Sequence, residues 1–457
     1  MIKVIRDPKL VLPTINVPLY SESLENDPAD GSENPKQQTK IDGIETPLIK
    51  INDTTILFYS INYLKLECNP IPVLTVEIED DMGLIKTLDS PTNDNTLQLQ
   101  IIPPFDNTYK KINLLFFITS LSIDNSTLYI NAVYKVPGIY DNIMKSYGKL
   151  SSFSFYDTIS KEYSLGFASN ISASSDERYM YNPNKSTTRF LDDTIKYSGF
   201  RQHVYDYWID WWNTLNFVDL WNEYNLVEKD ENIQVWIPDR SGNRADTTDS
   251  TQPIKALALL TNNPVYKNNP LAINDYKIVN NSSMSTDINF EVYSMNNLLN
   301  YSILIEDGDI KNDIYKSYDY GGEIFGNFDY LTQKICRSFY INKINAECIE
   351  VTLNDLCLGL VKGAKTNLLW YETNPAATKI MEERNESITT NSQTADTIEL
   401  DESTKMVPNK TISGQYNILD CTIEYSNKHW SQKLLMSRPK DQKFNYSEVK
   451  VKTKKNS

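Results

Sequence analysis

The chain has 457 residues, which is enough for about two to four domains. Its formal net charge of −15 argues against a general nucleic-acid binder, because such proteins carry a basic face. Its five cysteines have irregular spacing and no Cys-x-x-Cys pair, so free thiols are expected rather than a disulfide framework or a zinc site. The sequence predicts neither a secretion signal nor a membrane span, since no apolar run approaches the length of either.

The first part of the chain is expected to be an arm followed by a β domain. Residues 1–45 mix apolar and proline residues and then become polar and acidic, which predicts an extended arm and a linker. Residues 46–145 alternate apolar and polar side chains between turn signals, which predicts a first antiparallel β-barrel-like domain. The candidate strands are residues 48–51, 54–66, 72–78, 96–102, 112–123 and 127–137, with a hairpin turn at Asp124-Asn125-Ser126.

The period then changes toward helices in residues 146–253, which are expected to form an α-rich, aromatic domain. Ser154 is predicted to cap a first helix, with Gly166 in the left-handed position after it. Ser186 is predicted to cap a second helix that ends near Gly199. Residues 204–223 are predicted to form a third helix.

Strands are expected again in residues 254–440, which are predicted to form a second β-barrel-like domain. Insertions are expected at about 300–330 and 380–405, and residues 441–457 are expected to be a basic tail. The fold class that follows is α+β and β-dominated, with two antiparallel β-barrel-like domains flanking a helical block.

The aromatic segment near residue 210 is the main candidate for a functional site. Tyr and Trp are enriched at protein interfaces, but they also suit the core of a domain or a sugar-stacking platform. All three alternatives stay open from composition alone. The candidate interface residues are Tyr205, Tyr207, Trp208, Trp211, Trp212, Phe217 and Trp221.

The sequence contains little that predicts catalysis or metal binding. Only His203 and His429 are present, and each is expected to have a packing or surface role. The segment Asp307–Asp313 begins like a calcium loop but lacks its glycine and its final glutamate. Glu79-Asp80-Asp81 is interpreted as a turn between strands. We therefore expect no catalytic residue, no cofactor and no metal.

Several motifs in a fixed order nevertheless resemble the central baseplate hub family of contractile-tailed bacteriophages, which is related to type VI secretion spike proteins. They lie within about residues 50–440, with gaps at 240–270 and 300–400. The most specific ones are Leu165-Gly166-Phe167-Ala168-Ser169-Asn170, then Asp176, Asn182-Pro183, Trp208-Ile209-Asp210 and Leu215-Asn216-Phe217-Val218-Asp219. The sequence departs from that pattern at Trp211-Trp212, where tyrosine is usual, and at Pro439.

The resemblance implies a structural, non-enzymatic protein of the virion tail baseplate that is assembled in the host cytoplasm. Its β domains would have the tail-tube fold, so that a homotrimer forms a pseudo-six-fold ring. The ring would join the six-fold tail tube to the three-fold central spike of a contractile injection system. The implied partners are other copies of the chain, the tail tube protein, the central spike protein and other baseplate wedge proteins.

Genomic DNA would pass through the channel of such a ring without specific binding. We expect acidic side chains on the inward faces, since negative charge repels phosphates. The alternatives are another baseplate or adaptor protein with the tail-tube fold and a carbohydrate-active tail enzyme.

Overall fold

The computed structural model describes residues 2–9, 12–15, 46–52, 54–56, 60–68, 70–80, 83–86, 88, 95–102, 111–199, 203–226, 234–237, 254–261, 275–280, 289–294, 315–319, 337, 341, 344, 348–353, 356–373, 406–408 and 412–438. Strands far outnumber helices in these residues, and the main sheet curls into a half-barrel. The predicted β-dominated α+β class is therefore confirmed. The predicted insertion at 380–405, the tail at 441–457 and the calcium-like segment at 307–313 lie outside the described residues.

Antiparallel strands build the first β module, which follows the N-terminal strand β1 (Lys3–Arg6). The strands of the module are β2 (Leu48–Ile51), β3 (Thr54–Ile56), β4 (Ile61–Cys68), β5 (Pro72–Glu79), β6 (Thr96–Ile101), β7 (Ile112–Asp124) and β8 (Thr127–Tyr134). Their order in the sheet is β3-β2-β6-β7-β8-β5-β4. The predicted strands recur with small changes in their ends, except that residues 54–66 form parts of two strands. The predicted turn after β7 is confirmed, with Asn125 at a φ of 54°.

A mixed block of helices and strands comes next. Its elements are β9 (Asn142–Leu150), α1 (Ser152–Glu162), β10 (Gly166–Ser169), β11 (Arg178–Ser186), α2 (Thr187–Ile195), β12 (Tyr205–Ile209), β13 (Thr214–Asp219) and α3 (Leu220–Asn225). Strands β9 and β11 pair with each other as a two-stranded ribbon. Strands β1, β10, β13 and β12 form a four-stranded sheet in that order.

Two of the predicted helix ends need correction. The cap of α1 is Ser151, whose side chain accepts the N–H of Ser154. Gly166 is not a left-handed cap; that conformation belongs to Ser164, at a φ of 59°. Gly166 instead begins β10, where a Cβ would come within 2.7 Å of Thr214 Oγ1. The predicted cap of α2 by Ser186 is confirmed.

The remaining strands are β14 (Gln234–Ile237), β15 (Ile254–Thr261), β16 (Asp275–Asn280), β17 (Asn289–Ser294), β18 (Tyr315–Asp319), β19 (Cys348–Leu353), β20 (Lys365–Thr373), β21 (Met406–Pro408), β22 (Gly414–Ser426) and β23 (His429–Ser437). Six of them close a ring, because β22 pairs with both β23 and β20 while β19, β15 and β14 complete the circuit. We call this ring, together with β21, the second β module. Strands β16, β17 and β18 form a separate small sheet.

One strand pairing joins the two modules. Strand β22 lies antiparallel to β4, from Thr422 opposite Glu67 to Ser426 opposite Tyr63. The result is a single sheet of fourteen strands that ends in β3 on one side and β21 on the other. The buried face of this sheet is apolar on both sides of the seam, where Leu64 and Leu66 lie opposite Tyr425 and Ile423.

The N-terminal arm lies on the structure in two places. Strand β1 pairs with β10. Residues 12–15 cross β6 and β7, where Gln98 Nε2 donates to Pro13 O at 2.7 Å and Ile15 N donates to Gln100 Oε1 at 3.0 Å. The arm therefore covers part of the first module.

Candidate functional site

The aromatic segment is a β-hairpin, so the prediction of a helix over residues 204–223 was wrong. Strands β12 and β13 pair antiparallel, with Tyr205 opposite Asp219 and Ile209 opposite Leu215. Asp210 fixes the turn, since its Oδ1 accepts the N–H groups of Trp212 at 2.8 Å and Thr214 at 3.0 Å. Asn213 takes a left-handed φ of 59°, which a helix interior would not contain. The turn at Asp210 and Asn213 therefore makes this segment a hairpin, although the spacing of its aromatic residues also fits a helix.

The hairpin brings the first and last motifs of the sequence into contact. Strand β10 carries most of the first motif and runs parallel to β13 of the last one. Asn170 then joins both, because its Oδ1 accepts the N–H of Asp219 at 2.8 Å and its Nδ2 donates to Glu223 at 3.0 Å. The motif residues thus hold a sheet and the start of α3 in place.

Asp176, the motif residue between them, ties the two longer helices together. Its carboxylate accepts the N–H of Ser152 at 3.0 Å, at the start of α1, and the N–H of Gly199 at 2.8 Å, beyond α2. Arg178 lies beside it and donates to Thr194 O at 2.9 Å near the end of α2. Orphan backbone groups at both helix termini are satisfied in this way.

Most of the candidate interface residues are buried within the single chain. Tyr205, Tyr207, Trp208, Trp211 and Phe217 are at most 3% exposed. The Phe217 ring lies 4.7 Å from that of Tyr156 on α1 and 4.9 Å from that of Tyr205. Of the three alternatives that the sequence left open, packing in the core of the chain is therefore the one that fits these five residues.

Trp212 and Trp221 differ from them because both are half-buried. The Trp212 ring packs edge-on against Trp211 at 6.5 Å, and the Trp221 ring stacks on Tyr224 at 5.6 Å. These two remain candidates for contact with another chain.

The hairpin is attached to the first module at its turn end. Ile209 N donates to Pro70 O at 2.8 Å, and the Cys68 thiol donates to Ile209 O at 2.7 Å. The Tyr134 hydroxyl donates to Asn213 Oδ1. Burial raises the pKa of the Cys68 thiol well above its ordinary value, so this sulfur acts as a neutral donor.

The other side of the hairpin packs on the second module. Lys362 Nζ lies 5.0 Å from the Trp208 ring and 3.6 Å from Asp206 Oδ2. Gly363 has a φ of +86°, and a Cβ on it would lie 2.8 Å from Trp208. The absence of a side chain at this glycine therefore lets the indole approach the backbone.

Helix α3 adds a buried ion pair to the same junction. Lys365 Nζ lies 3.3 Å from Glu223 Oε1, and the two side chains are 2% and 8% exposed. Burial raises the pKa of Glu223, but the hydrogen bond from Asn170 and the charge of Lys365 act in the opposite direction, and the net shift is downward. Tyr224 Oη donates to Arg438 O at 2.6 Å beside this pair.

A cavity of about 230 Å³ remains where these elements meet. Its lining includes Trp208, Lys362 and Asp420. Burial raises the pKa of Asp420. Within the described part of the chain, no group of three or more His, Cys, Asp or Glu residues could hold a metal ion.

The two histidines and the acidic turn fit their predicted roles. His203 Nδ1 lies 2.6 Å from Asp219 Oδ2, and its side chain is 54% exposed. His429 is exposed at the start of β23. Asp80 accepts the N–H groups of Leu84 and Ile85 after the end of β5.

Sequence reasoning missed the residues that join the hairpin to the second module, Lys362, Gly363 and Lys365, and it missed that Asp210 of the motif fixes a turn. A Lys-Gly pair in a loop and an Asp before a Trp-Trp-Asn turn are weak signals, because their partners lie more than a hundred residues away or in the turn itself. Among the helices that the structure describes, none is long and apolar enough to cross a membrane.

No protein-family model matches the chain, and no curated protein matches its sequence significantly. Solved structures are similar to it in fold. The tail protein from Neisseria meningitidis MC58 has a TM-score of 0.47 and 7% identity, over 86% of this chain and 96% of that chain. The 43 kDa tail protein of prophage MuSo2 from Shewanella oneidensis has a TM-score of 0.49 and 9% identity, over 86% and 98%.

A third similar structure is that of the E. coli c3393 protein, which has a TM-score of 0.38 and 9% identity, over 87% of this chain and 78% of that chain. That protein is a component of the type VI secretion system and is described as structurally similar to the T4 bacteriophage tail proteins gp27 and gp5. These are the classes of protein that the sequence motifs resemble. At such identities and TM-scores they are likenesses of architecture, and none assigns a function to this chain.

Proposed function

We propose that this chain is a structural, non-enzymatic hub of a contractile phage tail. Three copies would form an adaptor between the six-fold tail tube and the three-fold central spike. The observation that carries the proposal is the seam between β4 and β22, which makes one sheet out of two β modules. Three copies would then present six modules around one axis, which matches a six-fold partner on one face and a three-fold partner on the other.

The ends of this sheet support the same arrangement. Among the described strands, β3 pairs only with β2 and β21 pairs only with β20. Unpaired strand edges promote uncontrolled association unless they are covered or paired. A closed ring of copies would cover both edges. Its six units would be the predicted β domains at 46–145 and 254–440 of each copy, with the predicted domain at 146–253 between them in the chain.

The aromatic hairpin would set the angle between the modules. It contacts the first module through Ile209 and the second through Trp208, so neither module can turn without disturbing it. A fixed angle is what a ring of defined size requires. In this proposal Trp212 and Trp221 lie nearest to neighbouring chains, while the buried aromatic residues hold the shape.

The ring would also line the channel through which DNA passes. The solvent face of the seam carries Glu67, Glu77 and Glu424 next to Lys65 and Lys433. Two of the carboxylates are paired, with Lys65 at 2.8 Å from Glu67 and Lys433 at 2.9 Å from Glu424. A channel wall of this kind would be mildly negative and would bind no DNA specifically.

Two measurements test the proposal. Light scattering gives the molar mass of the purified full-length chain, and electron micrographs give the symmetry of its complex with tube protein. We expect a trimer that forms a ring on the end of a tube. A stable monomer that releases sugars from cell-wall glycan would contradict it and would favour a carbohydrate-active tail enzyme.

A further inference from the structure

The N-terminal arm contacts the second module, the mixed block and the first module in turn. Ile2 lies at the second module, since its Cδ1 is 2.7 Å from the position that a Cβ on Gly363 would take. Strand β1 then pairs with β10 of the mixed block. Residues 12–15 lie on β6 and β7 of the first module. We call residues 2–9 and 12–15 the strap.

The middle of the strap is held by both its side chains and its backbone. Arg6 Nη1 donates to Asp157 Oδ1 on α1 at 2.6 Å, and Lys9 N donates to Ser164 O at 3.1 Å. Because consecutive Cα atoms are 3.8 Å apart, Lys9 and Leu12 can be separated by at most about 11 Å. The two pieces of the strap therefore form one short path, which links a loop of the second module to the sheet of the first.

The end of the strap on the first module is held by polar side chains. Gln98 and Gln100 point outward from β6, because side chains alternate along a strand and the apolar residues of β6 face the core. Gln98 Nε2 donates to Pro13 O at 2.7 Å, and Asn113 Nδ2 donates to Leu12 O at 3.2 Å. If the strap leaves, water can bind these amides, so opening leaves no buried polar group unpaired on β6. This end is therefore suited to release.

The chain that follows the strap is long enough to let this end leave the sheet. Ile15 N donates to Gln100 Oε1, and Gln100 lies directly opposite Leu48 of β2. The thirty residues 16–45 connect the strap to the residues before β2. A chain of that length can span about 100 Å, whereas neighbouring strands of a sheet lie about 5 Å apart. The strap can thus leave β6 and return while β2 stays paired.

We propose that the strap locks the two β modules at a fixed angle and opens at its β6–β7 end. The seam joins the modules through one strand pairing, between β4 and β22, and such a pairing can twist. The strap links the modules by a separate path, because Ile2 lies at the second module and residues 12–15 lie on the first. When it is closed, the modules cannot turn about the seam. When it is open, only the seam and the buried hairpin restrain them. This lock is a property of one chain and goes beyond the proposed hub function.

Limited trypsin digestion of the full-length protein measures the opening. Gln98→Ala with Asn113→Ala removes the amide donors that hold the strap, so cleavage at Lys9 should become at least about tenfold faster. Thr75→Ala with Asn131→Ala is the matched control. It removes a 3.0 Å side-chain hydrogen bond from β5 and β8, strands of the same module that the described strap residues do not cross. The control should be cleaved at Lys9 at the wild-type rate.

Energy transfer between two fluorophores measures the angle. One fluorophore is attached at Ser126 of the first module and one at His429 of the second, each through a non-natural amino acid. Both positions are exposed. Labelled chains are diluted into an excess of unlabelled protein, so that the signal comes from within one copy in any oligomeric state. The distribution of transfer efficiencies should become about twofold wider when Gln98 and Asn113 are both replaced by alanine, and it should keep its width in the control.

Two results would overturn the proposal. An unchanged cleavage rate at Lys9 would mean that the amides of Gln98 and Asn113 do not hold the strap. Faster cleavage with an unchanged distribution would mean that an open strap leaves the modules locked. If the double variant does not fold, Lys111→Ala decides between these outcomes, since it removes only the 2.7 Å contact of Nζ with Thr14 Oγ1 at an exposed site. It should speed cleavage by about twofold and widen the distribution slightly, and no change in either would equally overturn the proposal.

Discussion

The aromatic hairpin and the ribbon are both antiparallel strand pairs rich in tyrosine, yet they have opposite environments. In the hairpin, Tyr205 and Tyr207 are at most 3% exposed because they lie on the face that packs against α1, and Trp208 on the other face packs against the second module. In the ribbon, Tyr179 and Tyr181 are 82% and 52% exposed. Aromatic density therefore identifies neither a core nor an interface. The number of covered faces does, and that depends on residues distant in sequence.

Trp208 provides the largest test of this difference. Trp208→Ala should lower the free energy of unfolding by about 3–5 kcal/mol, because it leaves a large cavity between the hairpin and the second module. Tyr179→Ala is the matched control and should change it by less than about 0.5 kcal/mol. Urea unfolding followed by tryptophan fluorescence and circular dichroism measures both. Equal losses in the two variants would remove the distinction between the two regions.

The buried ion pair at the base of the hairpin should show the next effect. Lys365→Met leaves the Glu223 carboxylate buried without the cation that lies 3.3 Å from it, which should cost about 3 kcal/mol at pH 7. Because the pKa of Glu223 is lowered in the folded state, its contribution is present above its unfolded pKa and is lost as pH falls through the folded pKa. The difference between wild type and variant should therefore shrink below about pH 4.5.

Replacing both members of the pair separates the charge from the packing. Lys365→Met with Glu223→Leu removes both charges, so it should be less destabilised than the single variant. A double variant that is more destabilised than Lys365→Met would mean that Glu223 contributes mainly through its own hydrogen bond, the one from Asn170 Nδ2 at 3.0 Å.

Gly363 gives a smaller effect with a matched control in the ribbon. Gly363→Ala places a Cβ 2.7 Å from Ile2 and 2.8 Å from Trp208 at a φ of +86°, which should cost about 2–3 kcal/mol. Gly148→Ala, in β9, has a similar φ of +77° but no atom within 4 Å of the new Cβ. It should cost only the backbone strain of about 1–2 kcal/mol. Thermal unfolding measures the loss of stability in each variant, and the difference between the two losses is the cost of the steric clash at Gly363. Identical losses would show that Trp208 moves away from the new Cβ at no cost.

The strands of the two modules could be predicted from the sequence because their signal is local. Alternation in β5 and β22, and the Asp-Asn-Ser turn after β7, depend on neighbouring residues only. The hairpin could not be predicted in this way. Its four-residue aromatic spacing also fits a helix, and only the Asp210 turn and the pairing with β10 decide against it. The junction contacts of Lys365 and Gly363 depend on long-range packing that no local pattern contains.

His203 should give the smallest effect, and its sign is specific. The hydrogen bond to Asp219 is the main cause that raises the pKa of His203 above its ordinary value. A raised folded pKa means that the stabilisation is complete below the unfolded pKa, near 6.5, and is lost as pH rises through the folded pKa. The side chain is 54% exposed, so solvent screening limits the contribution to a few tenths of a kcal/mol. Comparing wild type with His203→Gln by urea unfolding at pH 5.5, 7 and 9 should give a difference that is largest at pH 5.5. Lys428→Gln, which is exposed at the β22–β23 turn, should show no such trend between these values. A difference that grows toward pH 9 would mean that the neutral ring, rather than the imidazolium, is the form that Asp219 stabilises.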